Sequence, residues 1–209
     1  MQLQFQTAIT AKDESLICPI LFTKKKPDLS KFPKALQSAI KDLIKTGELE
    51  EKEGSLVEIS LAIPRFAKCA VFVSLGEDSK LNETIVRSNI ASALKTLRSK
   101  KKKQVALWYP EELEKYARVI GEVVIMSNHM VGRYKTGKSL EDDKKKIIAT
   151  LSVITQNKSK IETELRKGMA TGEIVNITRD LISDPPNILT AKALADIGKK
   201  IAKEPGYKY

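Results

Sequence analysis

Gly132-Arg133-Tyr134-Lys135-Thr136-Gly137-Lys138-Ser139 spells the order of a phosphate loop: a glycine, four residues, then Gly-Lys-Ser. In such a loop bare backbone amides wrap the phosphates, the lysine reaches the terminal ones, and the hydroxyl meets a magnesium ion. That chemistry also needs a buried strand before the loop and a helix opening after it. Here the segment follows a predicted helix and runs into Glu141-Asp142-Asp143-Lys144-Lys145-Lys146, a charged surface tract. The context argues against nucleotide. Ser74-Leu75-Gly76 resembles one corner of a dinucleotide turn, but the further glycines are missing and no helix begins at once.

Metal and acid–base chemistry find equally little. His129, the one histidine, falls near the end of a predicted helix, where it reads as a polar cap. No second histidine and no paired cysteines complete a zinc spacing. Cys18 and Cys69 each sit in an apolar run, which predicts buried, reduced thiols; two cysteines leave a bridge open. Glu48, Glu50, Glu51 and Glu53 form the densest carboxylate group, and with Gly47, Lys52 and Gly54 beside them they read as a solvated turn. No residue of this chain is therefore assigned a catalytic, cofactor-binding or metal-ligating role.

Charge offers a second kind of partner. The net charge is +11, with 30% charged and 42% hydrophobic residues, enough for a real core and a wet surface. The lysine runs at 24–26, 100–103 and 144–146 all fall at predicted element ends. Solvated ends that complement helix dipoles are the first reading. A nucleic-acid surface is the second, though aromatics that would stack on bases are not interleaved. No apolar run approaches the roughly 20 residues of a membrane span. Met1 to Gln6 alternates and lacks a signal peptide's apolar block. The expectation is a cytoplasmic protein with no membrane contact.

The elements that would position such residues follow from periodicity. Residues 2–9 alternate as a strand, and Leu16 to Phe22 is an apolar run of the kind buried on both faces. Pro19 weakens that strand or moves it toward an edge. Leu36, Ile40, Leu43 and Ile44 recur at helical spacing, ended by Gly47. Strands around 56–61 and 70–73 follow, and Gly76-Glu77-Asp78 makes an exit loop. Asn82 caps a helix striped by Val86, Ile90, Ala93, Leu94 and Leu97. Val105 to Tyr109 is a strand; Pro110 opens a helix carrying Leu113, Tyr116, Ala117, Ile120, Val124 and Val131. The polar stretch 133–143 reads as loop and 147–154 as strand. A long helix starts near Lys158, with Ile161, Leu165, Met169, Ile174, Ile177 and Leu181 as its stripe. Alternating strands and helices predict a mainly parallel α/β sandwich.

Ser183-Asp184-Pro185-Pro186-Asn187 stops the long helix, because proline lacks an amide donor and disfavours helix in the residue before it. Thr190 caps a further helix through Leu194, Ile197 and Ile201, ended by Lys203-Glu204-Pro205-Gly206, and Tyr207-Lys208-Tyr209 reads as the start of a strand. With this junction in view the chain resembles the N-terminal part of the cytosolic leucyl aminopeptidases, a hexameric, two-metal family. Arg179-Asp180-Leu181, then Asp184-Pro185-Pro186-Asn187, then Thr190 is similar to that family's Arg-Asp-Leu, Asn-x-Pro-x-Asn and helix-opening threonine; Ser183 departs from the usual asparagine, and Ala191 stands where a proline is common. Gly47 to Gly54 resembles its glycine-acidic-glycine hairpin, and Cys69 to Gly76 its Val-Leu-Leu-Val-Gly-Leu-Gly strand.

The resemblance implies a macro-domain-like three-layer α/β sandwich with a mainly parallel or mixed sheet. It would span residues 1–155, followed by a linker helix over 156–184 and the truncated beginning of a peptidase domain over 185–209. The intact protein would release N-terminal amino acids from peptides, as a homo-oligomer. Two divalent ions, zinc or manganese, would sit in the missing catalytic domain, held by a lysine and carboxylates, with an arginine and bicarbonate assisting. All of those motifs fall beyond the junction, so no metal is expected in this portion, and the portion alone is expected to hydrolyse nothing. A macro-like module that binds nucleotide or nucleic acid through its basic surface is the alternative, and a stand-alone interaction domain a third.

Overall fold

The computed structural model describes residues 1–10, 12–63, 66–130 and 134–203. The strand expected at Tyr207-Lys208-Tyr209, the helix stop at Glu204-Pro205-Gly206, and Val131, Gly132 and Arg133 lie outside the described residues.

Gln2–Gln6 (β1) is followed by Ser15–Thr23 (β2), which turns through Lys24 and Lys25 onto the short Lys26–Pro27 (β3). Lys34–Lys45 (α1) buries Leu36, Ile40 and Leu43 at the predicted spacing. Gly47 ends it with φ +77, while Leu49 N–H returns 3.0 Å to the Leu43 carbonyl. Leu56–Ser60 (β4) and Cys69–Glu77 (β5) come next, then Glu83–Ser99 (α2), whose Asn82 cap accepts from Ile85 N–H at 3.1 Å. All five residues of the α2 stripe are buried. Gln104–Trp108 (β6) leads through a 3-10 turn at Glu111–Tyr116 into Ala117–Ser127 (α3). Gly137–Lys145 (α4), Thr150–Ile154 (β7), Lys158–Ser183 (α5) and Ala191–Lys203 (α6) complete the described elements.

The sheet runs β1-β7-β6-β2-β5-β4, with β3 hanging from β2. Its ladders β1–β7, β7–β6, β6–β2 and β2–β5 are parallel, and β4 joins β5 antiparallel at one edge. The sheet is open, with helices on both faces. On one face Ile17, Val71, Val73 and Leu107 meet residues of α2, α3 and the first turns of α5. On the other Leu16, Cys18, Ile20, Phe22 and Phe72 meet α1. Burial on both faces explains the unbroken apolar runs. Cys18 and Cys69 are both free and buried, and they face opposite sides of the sheet, so no bridge joins them.

Several expectations need correction. Pro19 does not push its strand outward: β2 is central. The register with β6 ends at Ile17 opposite Leu107, so at Pro19 the strand has a neighbour only on the β5 side. A lost ladder bond costs about 0.5–1.5 kcal/mol. Burying Leu16, Ile17, Ile20 and Phe22 contributes about 1.5–3 kcal/mol each, so the strand forms regardless. Gly76 lies within β5, not beyond it: between Ile20–Ser74 and Phe22–Glu77 the β5 side carries one extra residue, a bulge accommodated by φ +78 at Gly76. Residues expected as loop between 133 and 143 include α4, held by Lys135 and Lys146 on Asp143 at 2.6 and 2.9 Å. Residues 147–149 are not in the last strand; Asn128 binds them instead, donating to Ile148 O and accepting from Ile148 N–H, both at 2.9 Å.

Candidate functional site

The long helix α5 is held against α3 along one side and meets solvent on the other. Its first half packs on α3 through glycines. A Cβ on Gly168 would strike the Arg118 carbonyl, one on Gly121 the Leu165 carbonyl, and one on Gly172 would come within 2.9 Å of the Glu122 carbonyl. The two backbones therefore meet directly, as small-x-x-x-small pairs allow between close helices. Ile161 and Leu165, next to these glycines, are buried in the sheet's core.

Polar groups lock the same joint. A helix leaves its last carbonyls without intrahelical donors. Those of α3 are met from outside: Asn176 Nδ2 donates to Ile125 O at 3.2 Å, Arg179 Nη1 to Met126 O at 3.3 Å, and Arg98 Nη1 to Ser127 O at 2.9 Å. Two guanidinium cations at a helix C-terminus also suit its dipole. His129, just beyond α3, places Nε2 3.0 Å from Asp180 Oδ1 on α5. The expected polar cap instead faces the carboxylate of a neighbouring helix, with Nε2 making no hydrogen bond among the described residues. Arg87 joins Glu122 at 2.8 Å and extends the clamp to α2.

Between and past these contacts, apolar side chains of α5 face solvent: Ile174, Ile177 and Ile182 are 64, 51 and 78% exposed. Asp184, extended because Pro185 follows, ends the helix as expected. Pro185 O then accepts from Ile188 and Leu189 N–H at 2.8 and 2.9 Å, and Thr190 Oγ1 caps α6 at Ala193 N–H, 3.2 Å away. α6 buries none of its residues; Leu194 and Ile201 on it, and Ile188 before it, are exposed. Ile197 is half-buried, and much of the helix's apolar face meets solvent.

The residues with chemical promise are dispersed. Gly137-Lys138-Ser139 does open a helix, with φ +57 at Gly137, but α3 precedes it in the chain rather than a strand. Ser74 is buried and internally used, donating to Glu51 O at 3.0 Å and accepting from Gly76 N–H at 3.2 Å. Glu48, Glu50 and Glu53 are exposed on their turn. Asp143 lies between its two lysines, which hold its carboxyl down at about 2. Burial raises the Cys18 thiol well above its ordinary range, and burial with the Glu58 carboxylate raises Cys69 to about 11, so neither offers a thiolate. Among the described residues no three His, Cys, Asp or Glu gather where they could hold a metal. The described residues thus do not fit a two-metal centre. Periodicity alone missed the glycines of the joint; Gly168-x-x-x-Gly172 was their signal.

The described residues thus form an open α/β sandwich with a long helix packed backbone to backbone on α3. Residues 22–138, more than half of the chain, match the N-terminal domain of the cytosol aminopeptidase family, and the chain belongs to that family. A probable cytosol aminopeptidase of Sulfurihydrogenibium sp. (strain YO3AOP1) is 25% identical over 185 residues, 87% of this chain and 36% of the relative. One from Solibacter usitatus (strain Ellin6076) is 28% identical over 167 residues, 79% of this chain and 34% of the relative. The chain therefore spans about a third of the length of these relatives. A tomato leucine aminopeptidase variant shares the fold with a TM-score of 0.70 at 19% identity, over 97% of this chain and 42% of its own. The bottromycin maturation enzyme BotP does so at 0.67 and 17%, over 93 and 38%.

Proposed function

We propose that this chain is the assembly and access portion of a metal-dependent leucyl aminopeptidase. Residues 1–155 form its non-catalytic domain, 156–184 the linking helix, and 185–209 the entrance to the peptidase body. The intact enzyme releases N-terminal amino acids from peptides as a homo-oligomer in the cytoplasm. Its two divalent ions, zinc or manganese, belong to the body; a structure of BotP, one of the structural neighbours, is in complex with Mn. This portion alone is inactive.

What supports the reading is exposed Ile174, Ile177 and Ile182 on a helix packed backbone to backbone on α3, with Leu194 and Ile201 exposed on the next helix. Isolated helices shorter than about 12–15 residues are marginal in water, so α6 gains from a covering body. Ile177→Asp and Leu194→Asp test it. Both leave the melting temperature of the 209-residue chain unchanged, because both sites are wet, and both lower the stability and peptide hydrolysis of the protein carrying the peptidase body. Equal behaviour in the two contexts would refute the reading.

A second reading rests on the lysine runs. Lys103 Nζ donates to Lys144 O at 3.1 Å and Ile147 O at 3.0 Å, so runs distant in sequence share one end of the sheet. Titration with duplex DNA at two salt concentrations separates the readings, since phosphate binding weakens steeply with salt. Salt-independent or absent binding removes this reading.

A further inference from the structure

In an open α/β sheet, ligands sit outside the carboxyl ends of the strands, where neighbouring strands send their connections opposite ways. Here that point lies between β2 and β6. The chain leaves β2 toward α1 on one face and β5 on one side; it leaves β6 toward α3 on the other face and β7 on the other side. The crevice is bridged by Lys31, from the connection after β2, paired to Glu112, from the connection after β6. A cavity lies on either side of this bridge, and Lys31 and Pro110 line both. The larger, about 240 Å3, is walled by Trp108, Tyr109 and Ile154. The smaller, about 30 Å3, reaches Glu112 and Asp28.

Two buried polar atoms here lack hydrogen-bond partners among the described residues: the donor Trp108 Nε1 and the acceptor Glu112 Oε2. A buried polar group left unpaired is costly, so unpaired groups in a crevice mark a place for a ligand. The Trp108 ring is itself held, stacked on Phe32 with centroids 5.7 Å apart. Among the described residues of the lining, Lys31 is the one cation, against the carboxylates of Asp28, Asp78, Glu111 and Glu112. That balance repels phosphates and favours an amine. The volume also falls below the roughly 300–1,000 Å3 of pockets for drug-sized ligands.

From this juxtaposition we infer that the crevice binds a free amino acid with an apolar side chain. The ligand takes over the pairing that Lys31 and Glu112 now make with each other. Its carboxylate meets the Lys31 ammonium and the Trp108 indole N–H. Its ammonium meets Glu112 Oε2, and its side chain lies against Ile154 and Pro110. Binding here needs no peptidase body, so the titration below succeeds or fails independently of the function proposed above.

Trp108 is the chain's single tryptophan, which makes its indole N–H a clean NMR reporter. L-leucine, 4-methylpentanoate, isoamylamine and AMP are titrated into the 209-residue chain to about 10 mM. Leucine shifts the indole resonance saturably, and the analogues lacking the amine or the carboxylate bind at least about tenfold more weakly. Glu112→Gln, with an unchanged circular-dichroism spectrum, weakens leucine by about tenfold or more. Should that variant misfold, Lys31→Met provides the same readout. No saturable shift with leucine, equal binding of the deaminated analogue, or a response to AMP alone overturns the inference.

Discussion

Replacing Gly168 with alanine probes the joint that aims the long helix. On an exposed helix this change stabilises by about 1 kcal/mol, because alanine is the better helix former. Here the added methyl meets the Arg118 carbonyl, part of a helix backbone that cannot swing aside as a side chain would. Overpacking costs up to about 3 kcal/mol, leaving a net loss of about 2 kcal/mol after the propensity gain. For a chain of this size that lowers the melting temperature by about 4–8 °C. Ala170→Gly, two residues on and exposed, is the control; it loses only helix propensity, about 1 kcal/mol, or 2–4 °C. Thermal denaturation followed by circular dichroism measures both. A Gly168→Ala protein that melts at or above the parent temperature would refute backbone contact between α3 and α5.

Asn128→Ala removes both bonds to the Ile148 peptide, and with those buried groups unpaired it costs about 2–4 kcal/mol in urea denaturation. Lys25→Gly does the opposite. Lys24 and Lys25 hold φ of 50 and 66 in a two-residue hairpin turn that favours glycine second. Relief of left-handed strain, less glycine's extra unfolded freedom, stabilises by about 0.5–1 kcal/mol, read as a higher melting temperature. Asp143 governs part of the acid limb. Its folded pKa is depressed to about 2 by its lysine partners, so its contribution is fully present above the ordinary carboxylate pKa of about 3.9 and lost as pH falls through about 2. Asp143→Asn removes this pH dependence between about pH 4 and 2, and added salt shrinks the difference because the group lies at the surface.

Periodicity made the main elements legible. The α2 stripe, the Asn82 cap, the Gly47 stop and the long helix from Lys158 all follow from spacing and end residues, because local rules governed them. Where tertiary contacts override local preference, the fold departs from the local rules. Pro19 is a strand breaker by rule, yet the apolar side chains around it and the early end of β6 keep β2 in the centre. The polar stretch at α4 lacks an apolar face, and its helix depends on lysines converging on Asp143. The joint is not legible in the periodicity, because a glycine contributes nothing to a hydrophobic stripe; its role exists only against the facing backbone. The crevice was equally hidden, since Lys31 and Glu112 are distant in sequence and meet only where strand order reverses.

The function proposed is a surface presented to a catalytic body, with no reaction centre in this chain. Its most direct measurement is leucine release from a leucyl dipeptide by the purified 209-residue chain, supplied in turn with manganese and with zinc. The account predicts no turnover above the metal-only blank with either ion. Robust, metal-dependent release that persists through purification to homogeneity would contradict it.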